Sequence, residues 1–185
     1  MLQFEIDSTV RTVFGKGPMR QLRMGQQTPA NLYSGGKTPV ALQLNTKDLF
    51  RTLLTIQGRN AVVVLHVAGD QEGTHHVLVQ EVQKDPVNGS LIHVDFLEID
   101  LEKAATFTVP LRYVGTAKGV DLGGELQIFR ETVQLKGRPL DIPDMVEADI
   151  TSLEQGGAGL TYADLVLPAG VEMLNKPTTV CVAVH

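Results

Sequence analysis

Two groups of side chains in this sequence have types and spacings suited to chemistry on a polyanion. The first is basic: Arg11, Lys16, Arg20 and Arg23 fall within thirteen residues, around Gly15-Lys16-Gly17. Lysine and arginine neutralise phosphates, and glycines let backbone amides approach them closely. The same cluster is also compatible with an ordinary solvated surface. The second group is polar: Gln80, His93 and Asp95. His93 and Asp95 stand two apart, so a strand places them on one face and Val94 and Phe96 on the other. Polar groups in phase on a sheet can read the wide, shallow minor groove of A-form RNA, with its base edges and 2′-hydroxyls. A phosphate repels an aspartate. Asp95 in such a site therefore implies groove reading or support of a basic neighbour. A His93–Asp95 pair that only stabilises the sheet is the competing reading.

Other motifs lead to plainer roles. Gly36-Lys37-Thr38 resembles the end of a phosphate-binding loop. Asn31 stands where that loop needs glycine, however, and Pro39 with a strand pattern follows where it needs a helix. His75 and His76 are adjacent, so a strand points them to opposite faces and they cannot share a metal. With one cysteine in the chain, Cys181, neither a disulfide framework nor a multi-cysteine metal site is available. Cys181 sits in an apolar run and reads as a buried thiol. No serine occupies a Gly-x-Ser-x-Gly elbow. Asn88-Gly89-Ser90 matches a glycosylation sequon, but Asn-Gly between two strands is first a hairpin signal. The expectation is a protein that is not an enzyme and uses no cofactor, metal or small-molecule substrate.

Short strands must position these residues. Alternation predicts strands over 2–13, 29–33, 39–45, 75–83 and 90–99, and a Val-rich buried strand over 61–68. Residues 18–24 suit one or two helical turns, with Pro18 at the first position and Arg20 and Arg23 on one side. The clearest helix spans 46–57, with Thr46 as its N-cap and Gly58 as its stop. Gly69 to Gly73 reads as a turn. Beyond about residue 104, strands at 106–114, 124–129, 132–137, 144–150 and 178–184 suggest an antiparallel β domain. Tyr162–Leu165 is undecided between a helical turn and a strand end.

Composition agrees with a mainly β protein of two domains, 1–97 and 98–185. The chain has 185 residues, 43% hydrophobic and 20% charged, with no tryptophan. Those values exclude a disordered polyelectrolyte. No apolar run reaches the ~18 residues of a membrane span. No secretory signal is visible at the N-terminus, so the expected location is the cytoplasm. The net charge of −5 alone argues against nucleic acid, but it is unevenly spread. Residues 1–97 hold nine Lys/Arg and eight Asp/Glu, a net of +1, whereas 98–185 hold seven and thirteen, a net of −6. The first 37 residues alone, with Lys37 included, carry +3. Local charge governs binding to a polyanion.

Taken together, the clusters resemble a known family. The likeness begins with Arg11 and Gly15-Lys16-Gly17-Pro18-Met19-Arg20-Gln21-Leu22-Arg23, and runs on through Pro29-Ala30-Asn31-Leu32-Tyr33-Ser34-Gly35. It returns at Val79 to Pro86 and His93-Val94-Asp95-Phe96, then at Val109-Pro110-Leu111, Gly115 to Val120 and Leu165 to Val171. The chain resembles bacterial large-subunit ribosomal protein twenty-five in its long, two-domain form, also called general stress protein CTC. That resemblance implies a small N-terminal β-barrel with helices that binds 5S ribosomal RNA, and a separate, mainly β C-terminal domain. It implies RNA contacts at Arg11, Arg20, Tyr33, His93 and Asp95, with Lys16, Arg23 and Gln80 as additional ones. It also implies a place on the large ribosomal subunit, with contacts to neighbouring ribosomal proteins left open. An acidic C-terminal domain should be repelled from rRNA and face solvent or proteins. The alternative is a non-ribosomal interaction module acting through that acidic domain.

Overall fold

The computed structural model describes residues 2–36, 38–56, 59–70 and 73–185. Contacts divide the described residues into two compact units: 2–56 with 61–100, and 59–60 with 101–185. The break falls at 100/101, just beyond the change in charge sign.

The first unit is a closed barrel. Its elements in chain order are β1 (Leu2–Val10), α1 (Lys16–Met24), β2 (Gln27–Tyr33), β3 (Val40–Asn45), α2 (Thr46–Ile56), β4 (Ala61–Ala68), β5 (Thr74–Lys84) and β6 (Leu91–Glu98). Around the barrel the strands run β1-β3-β2-β6-β5-β4. Closure uses two parallel pairs, β1 with β4 and β2 with β6; the rest are antiparallel. Period-2 alternation sends Ile6, Ala30, Leu32, Leu42, Leu44, Val63, Leu65, Val77, Val94 and Phe96 inward, each at most 5% exposed. Leu49 of α2 joins this core, with Leu53 and Ile56 packed against it. A closed barrel leaves no sheet edge, so the polar outer face is free for other work.

Local chemistry sets the element ends. α2 is capped by Asn45 rather than Thr46. The Asn45 Oδ1 accepts from the amides of Lys47 at 2.9 Å and Asp48 at 3.4 Å. Thr46 instead shares a 2.8 Å hydroxyl hydrogen bond with Thr28 on β2. The expected stop at Gly58, Lys37 and part of the 69–73 turn lie outside the described residues. A strand, β3, follows Pro39, which removes the helix that a phosphate-binding loop needs. The Asn88-Gly89 turn is a wider hairpin than a two-residue one: Asp85 N–H donates to Ser90 O and Gly89 N–H to Asp85 O, both at 2.8 Å. Gly89 takes a φ of +69°, where glycine is favoured.

The second unit comprises β7 (Ala105–Val114), α3 (Lys118–Asp121), β8 (Leu126–Ile128), β9 (Thr132–Gly137), β10 (Val146–Asp149), β11 (Leu160–Thr161), a 3₁₀ turn (Tyr162–Asp164), β12 (Glu172–Met173) and β13 (Val180–Val184). They form two sheets, β10-β7-β9-β12 and β11-β13-β8. Pairing is antiparallel except for β7 with β10, which is parallel. The Tyr162 hydroxyl donates to Thr132 O at 2.8 Å and ties the 3₁₀ turn to β9. A Cβ on Gly119 would meet the Gln155 amide nitrogen at 2.5 Å, so only glycine fits there.

Candidate nucleic-acid interface

The outer face of the barrel between β2 and β5 is built by strand phase and register. In β6, Val94 and Phe96 are fully buried, which turns His93 and Asp95 outward. In β2, Ala30 and Leu32 point inward, which turns Asn31 and Tyr33 outward. Parallel pairing places Asn31 opposite Asp95. On the other side, Glu81 stands opposite Asp95 and Gln83 opposite His93. The face is thus a continuous polar strip across three strands.

A β-bulge decides which β5 residues join it. The register shifts between Val79 and Glu81, so Gln80 is the extra residue. Gln80 is exposed at the bulge, and Glu81 and Gln83 are the direct cross-strand neighbours of the His93–Asp95 pair. Spacing alone paired Gln80 with His93 and Asp95; the strand pairing is as expected, and the facing residues differ by the bulge. Asn31 was missed as well. Its signal is its position two before Tyr33, but only the parallel β2–β6 pairing puts it beside Asp95.

The strip is chemically incomplete from within. The His93 Nδ1 lies 3.4 Å from Asp95 Oδ1, with side chains 19% and 16% exposed. That contact lacks hydrogen-bond geometry, and Asp95 Oδ1 is buried with no hydrogen-bond partner among the described residues. An unmatched buried acceptor costs about 1–3 kcal/mol. Glu81 opposite it is another carboxylate, though Gln83 Nε2 donates to Glu81 at 2.9 Å. Two acids across a strand pair repel. Asn31 Nδ2 donates weakly to the Tyr33 hydroxyl at 3.4 Å, and Tyr33 is 38% exposed. The strip therefore offers acceptors toward an incoming donor.

Lys16, Arg20 and Arg23 of the basic group lie on α1, which packs against β2, and Arg11 precedes the helix, directly after β1. The helix begins at Lys16, before the expected Pro18, because Gly15 enters it with a φ of +101°. Its first turn holds no acidic residue, and no side chain caps it. Lys16 at this positive end of the helix dipole does not stabilise the helix. Lys16 and Arg20 are exposed and carry no ion pair among the described residues. A Cβ on Gly17 would meet nothing within 4 Å, so packing inside the chain does not demand glycine there. Arg23 and Arg11 are held more firmly. Arg23 Nε donates to Ile92 O at 3.1 Å, which fixes the end of α1 beside His93. Arg11 Nη1 donates to Val13 O at 3.2 Å and contacts Met19 Sδ at 2.9 Å. Burial lowers the Arg11 pKa from its ordinary value, and an arginine so shifted remains a cation.

The remaining candidates have structural places. His75 is 4% exposed, with Nδ1 2.7 Å from Glu98 and Nε2 2.8 Å from Asp70. Burial alone would lower its pKa, but the hydrogen bonds and charges of Glu98 and Asp70 outweigh that and raise it. Cys181 is fully buried, and burial pushes its thiol up. Among the described residues no group of His, Cys, Asp or Glu could hold a metal ion.

Comparison with known proteins agrees with this architecture unit by unit. Residues 6–96 match the model of the Ribosomal L25p family, and residues 104–185 match that of the ribosomal protein TL5 C-terminal domain. The chain is 46% identical to the large ribosomal subunit protein bL25 of Desulfotalea psychrophila, over all of this chain and 99% of that protein. It is 35% identical to the bL25 of Geobacter sulfurreducens, over all of this chain and 94% of that protein. It is 34% identical to the bL25 of Halothermothrix orenii, over all of this chain and 83% of that protein. These relatives are ribosomal structural proteins, so the chain is not an enzyme. The chain belongs to the Ribosomal L25p family, in the two-domain form with a TL5-type C-terminal domain.

Proposed function

We propose that this protein is a structural constituent of the large ribosomal subunit that binds 5S rRNA through its barrel unit. Family membership supports the ribosomal part. The observation that carries the RNA part is Asp95 Oδ1, a buried acceptor without a partner among the described residues, on the face where α1 sets Arg23 beside His93. A minor groove supplies the missing donors, as 2′-hydroxyls and the exocyclic amine of guanine.

In this reading Arg11, Lys16, Arg20 and Arg23 contact phosphates and set the docking register. The open backbone at Gly15-Lys16-Gly17 lets a phosphate come close. Tyr33 packs on a ribose or donates to a backbone oxygen. His93 and Asp95 read groove edges, and Gln80 at the bulge reaches the same RNA from the side. Residues 98–185, with their net of −6, face solvent or protein rather than rRNA. The protein works in the cytoplasm, on the ribosome.

The test is a gel shift of the full chain on 5S rRNA with excess tRNA at near-physiological salt. Binding that survives the competitor, and weakens at least fivefold in Arg20→Ala, supports the reading. Binding lost to tRNA rejects it.

A further inference from the structure

The segment that joins β1 to α1 holds a feature that phosphate binding does not use. Phe14 is 64% exposed, in a chain where aromatic residues make up only 5%. It does not pack into the barrel core. One face of its ring is covered by the Arg11 guanidinium, with Cζ 5.1 Å from the ring centroid. That contact holds the ring in place and leaves its other face to solvent. Beside it lies a hollow of about 400 Å³, lined by Arg11, Thr12, Val13, Met19, Leu22 and Gln43. Val13, at 55% exposed, extends the apolar surface.

Arg11 supplies a second, independent sign. Its Nη1 is committed to Val13 O and Met19, but its Nε–H is buried with no acceptor among the described residues. An unmatched buried donor is a cost that an oxygen from outside would remove. A fixed aromatic face, an unmet cationic donor and a hollow thus stand together, next to the free cations Lys16 and Arg20. An aromatic face accepts any base, provided the base is unstacked. A regular duplex offers none, so the feature selects RNA with a looped or extruded nucleotide.

We propose that Phe14 and Arg11 form a subsite for one unstacked nucleotide of RNA. The base lies on the free face of Phe14, and Arg11 Nε–H donates to an oxygen of that nucleotide in the hollow. The proposal rests on the reading of the barrel as a 5S rRNA binder. Because the ring is already oriented by Arg11, little freedom is lost when the base stacks.

The experiment compares the full-length wild type with Phe14→Ala, Phe14→Leu and Phe14→Tyr in binding to 5S rRNA, again under tRNA competition. Phe14→Ala and Phe14→Leu are expected to weaken binding by about 5- to 100-fold, and Phe14→Tyr to restore it. The salt dependence should not change, since no phosphate contact is lost. Wild-type binding with Phe14→Ala unaffected overturns the subsite and leaves the RNA reading standing. An apolar contact without stacking is shown if Phe14→Leu binds like wild type, and it also overturns the subsite. A wild type that does not bind specifically overturns both. Phe14 is exposed, so a melting curve for each variant should coincide with that of the wild type.

Discussion

At the scale of single residues, Asp95 and His93 separate binding from stability. Their side chains face outward, and the adjacent Val94 and Phe96 anchor the strand in the core. Asp95→Ala or His93→Ala should therefore reduce specific 5S rRNA affinity by about 5- to 30-fold, the worth of one or two polar contacts. Neither change should destabilise the fold by more than about 0.5 kcal/mol, and Asp95→Ala, which removes an unmatched buried acceptor, should raise stability by up to about 1–3 kcal/mol. Binding titrations beside circular dichroism melts separate the two; an early melt that tracks the binding loss would mean the pair only supports the sheet. His75 predicts the opposite profile, with stability affected and binding spared. Its folded pKa is raised, so its contribution is complete below its unfolded pKa of about 6.5 and is lost as pH rises through the folded value. The melting temperature should fall as pH is raised from about 6.5. His75→Gln should flatten that fall; an identical pH dependence in the variant would contradict the assignment. The sequence exposed the phase of His93 and Asp95 because side chains alternate along any strand. It did not expose Asn31 and Glu81 as neighbours of Asp95, because those depend on a parallel pairing and a bulge between distant segments.

At the scale of elements, the basic segment from β1 into α1 acts as a unit. If its four cations each meet a phosphate, the logarithm of the binding constant should fall with the logarithm of salt at a slope of roughly −3 to −4. Arg20→Ala should reduce the steepness by about one unit. A flat dependence would remove the phosphate assignment. The strands themselves were legible: 132–137 matches β9 at both ends, 39–45 differs from β3 by one residue at its start, and 90–99 from β6 by one residue at each end. Pattern could find them because each buries every second residue. The helix ends were less legible. α1 starts earlier than Pro18 suggests, since Gly15 supplies the backbone turn, and Asn45 rather than Thr46 caps α2 because Thr46 is engaged with Thr28. Elements as short as β11 and β12 carry too few residues for any period to appear.

At the scale of the molecule, structure divides the chain three residues past the 97/98 boundary read from charge, and that shift places Glu98 and Asp100 on the barrel side. The barrel has its own closed sheet and its own core, and it holds the cations of α1 and the polar strip. The second unit is built on two small sheets and carries a net of −3 against −2 for the barrel, so the RNA reading rests on the local cations around α1 and not on a charge contrast between units. Its β character was visible from strands spaced between Gly, Pro and Asp. The parallel β7–β10 pair was not, because register between distant short strands leaves no local pattern. The central claim is that specific 5S rRNA recognition resides in the barrel unit. The most direct measurement is a gel shift of residues 1–100 and of residues 101–185 against 5S rRNA, with excess tRNA at near-physiological salt and a melting curve to show each fragment folded. The account predicts a competitor-resistant shift with residues 1–100 and none with 101–185. A folded 1–100 fragment that loses its RNA to tRNA, or a shift produced by 101–185, would contradict it.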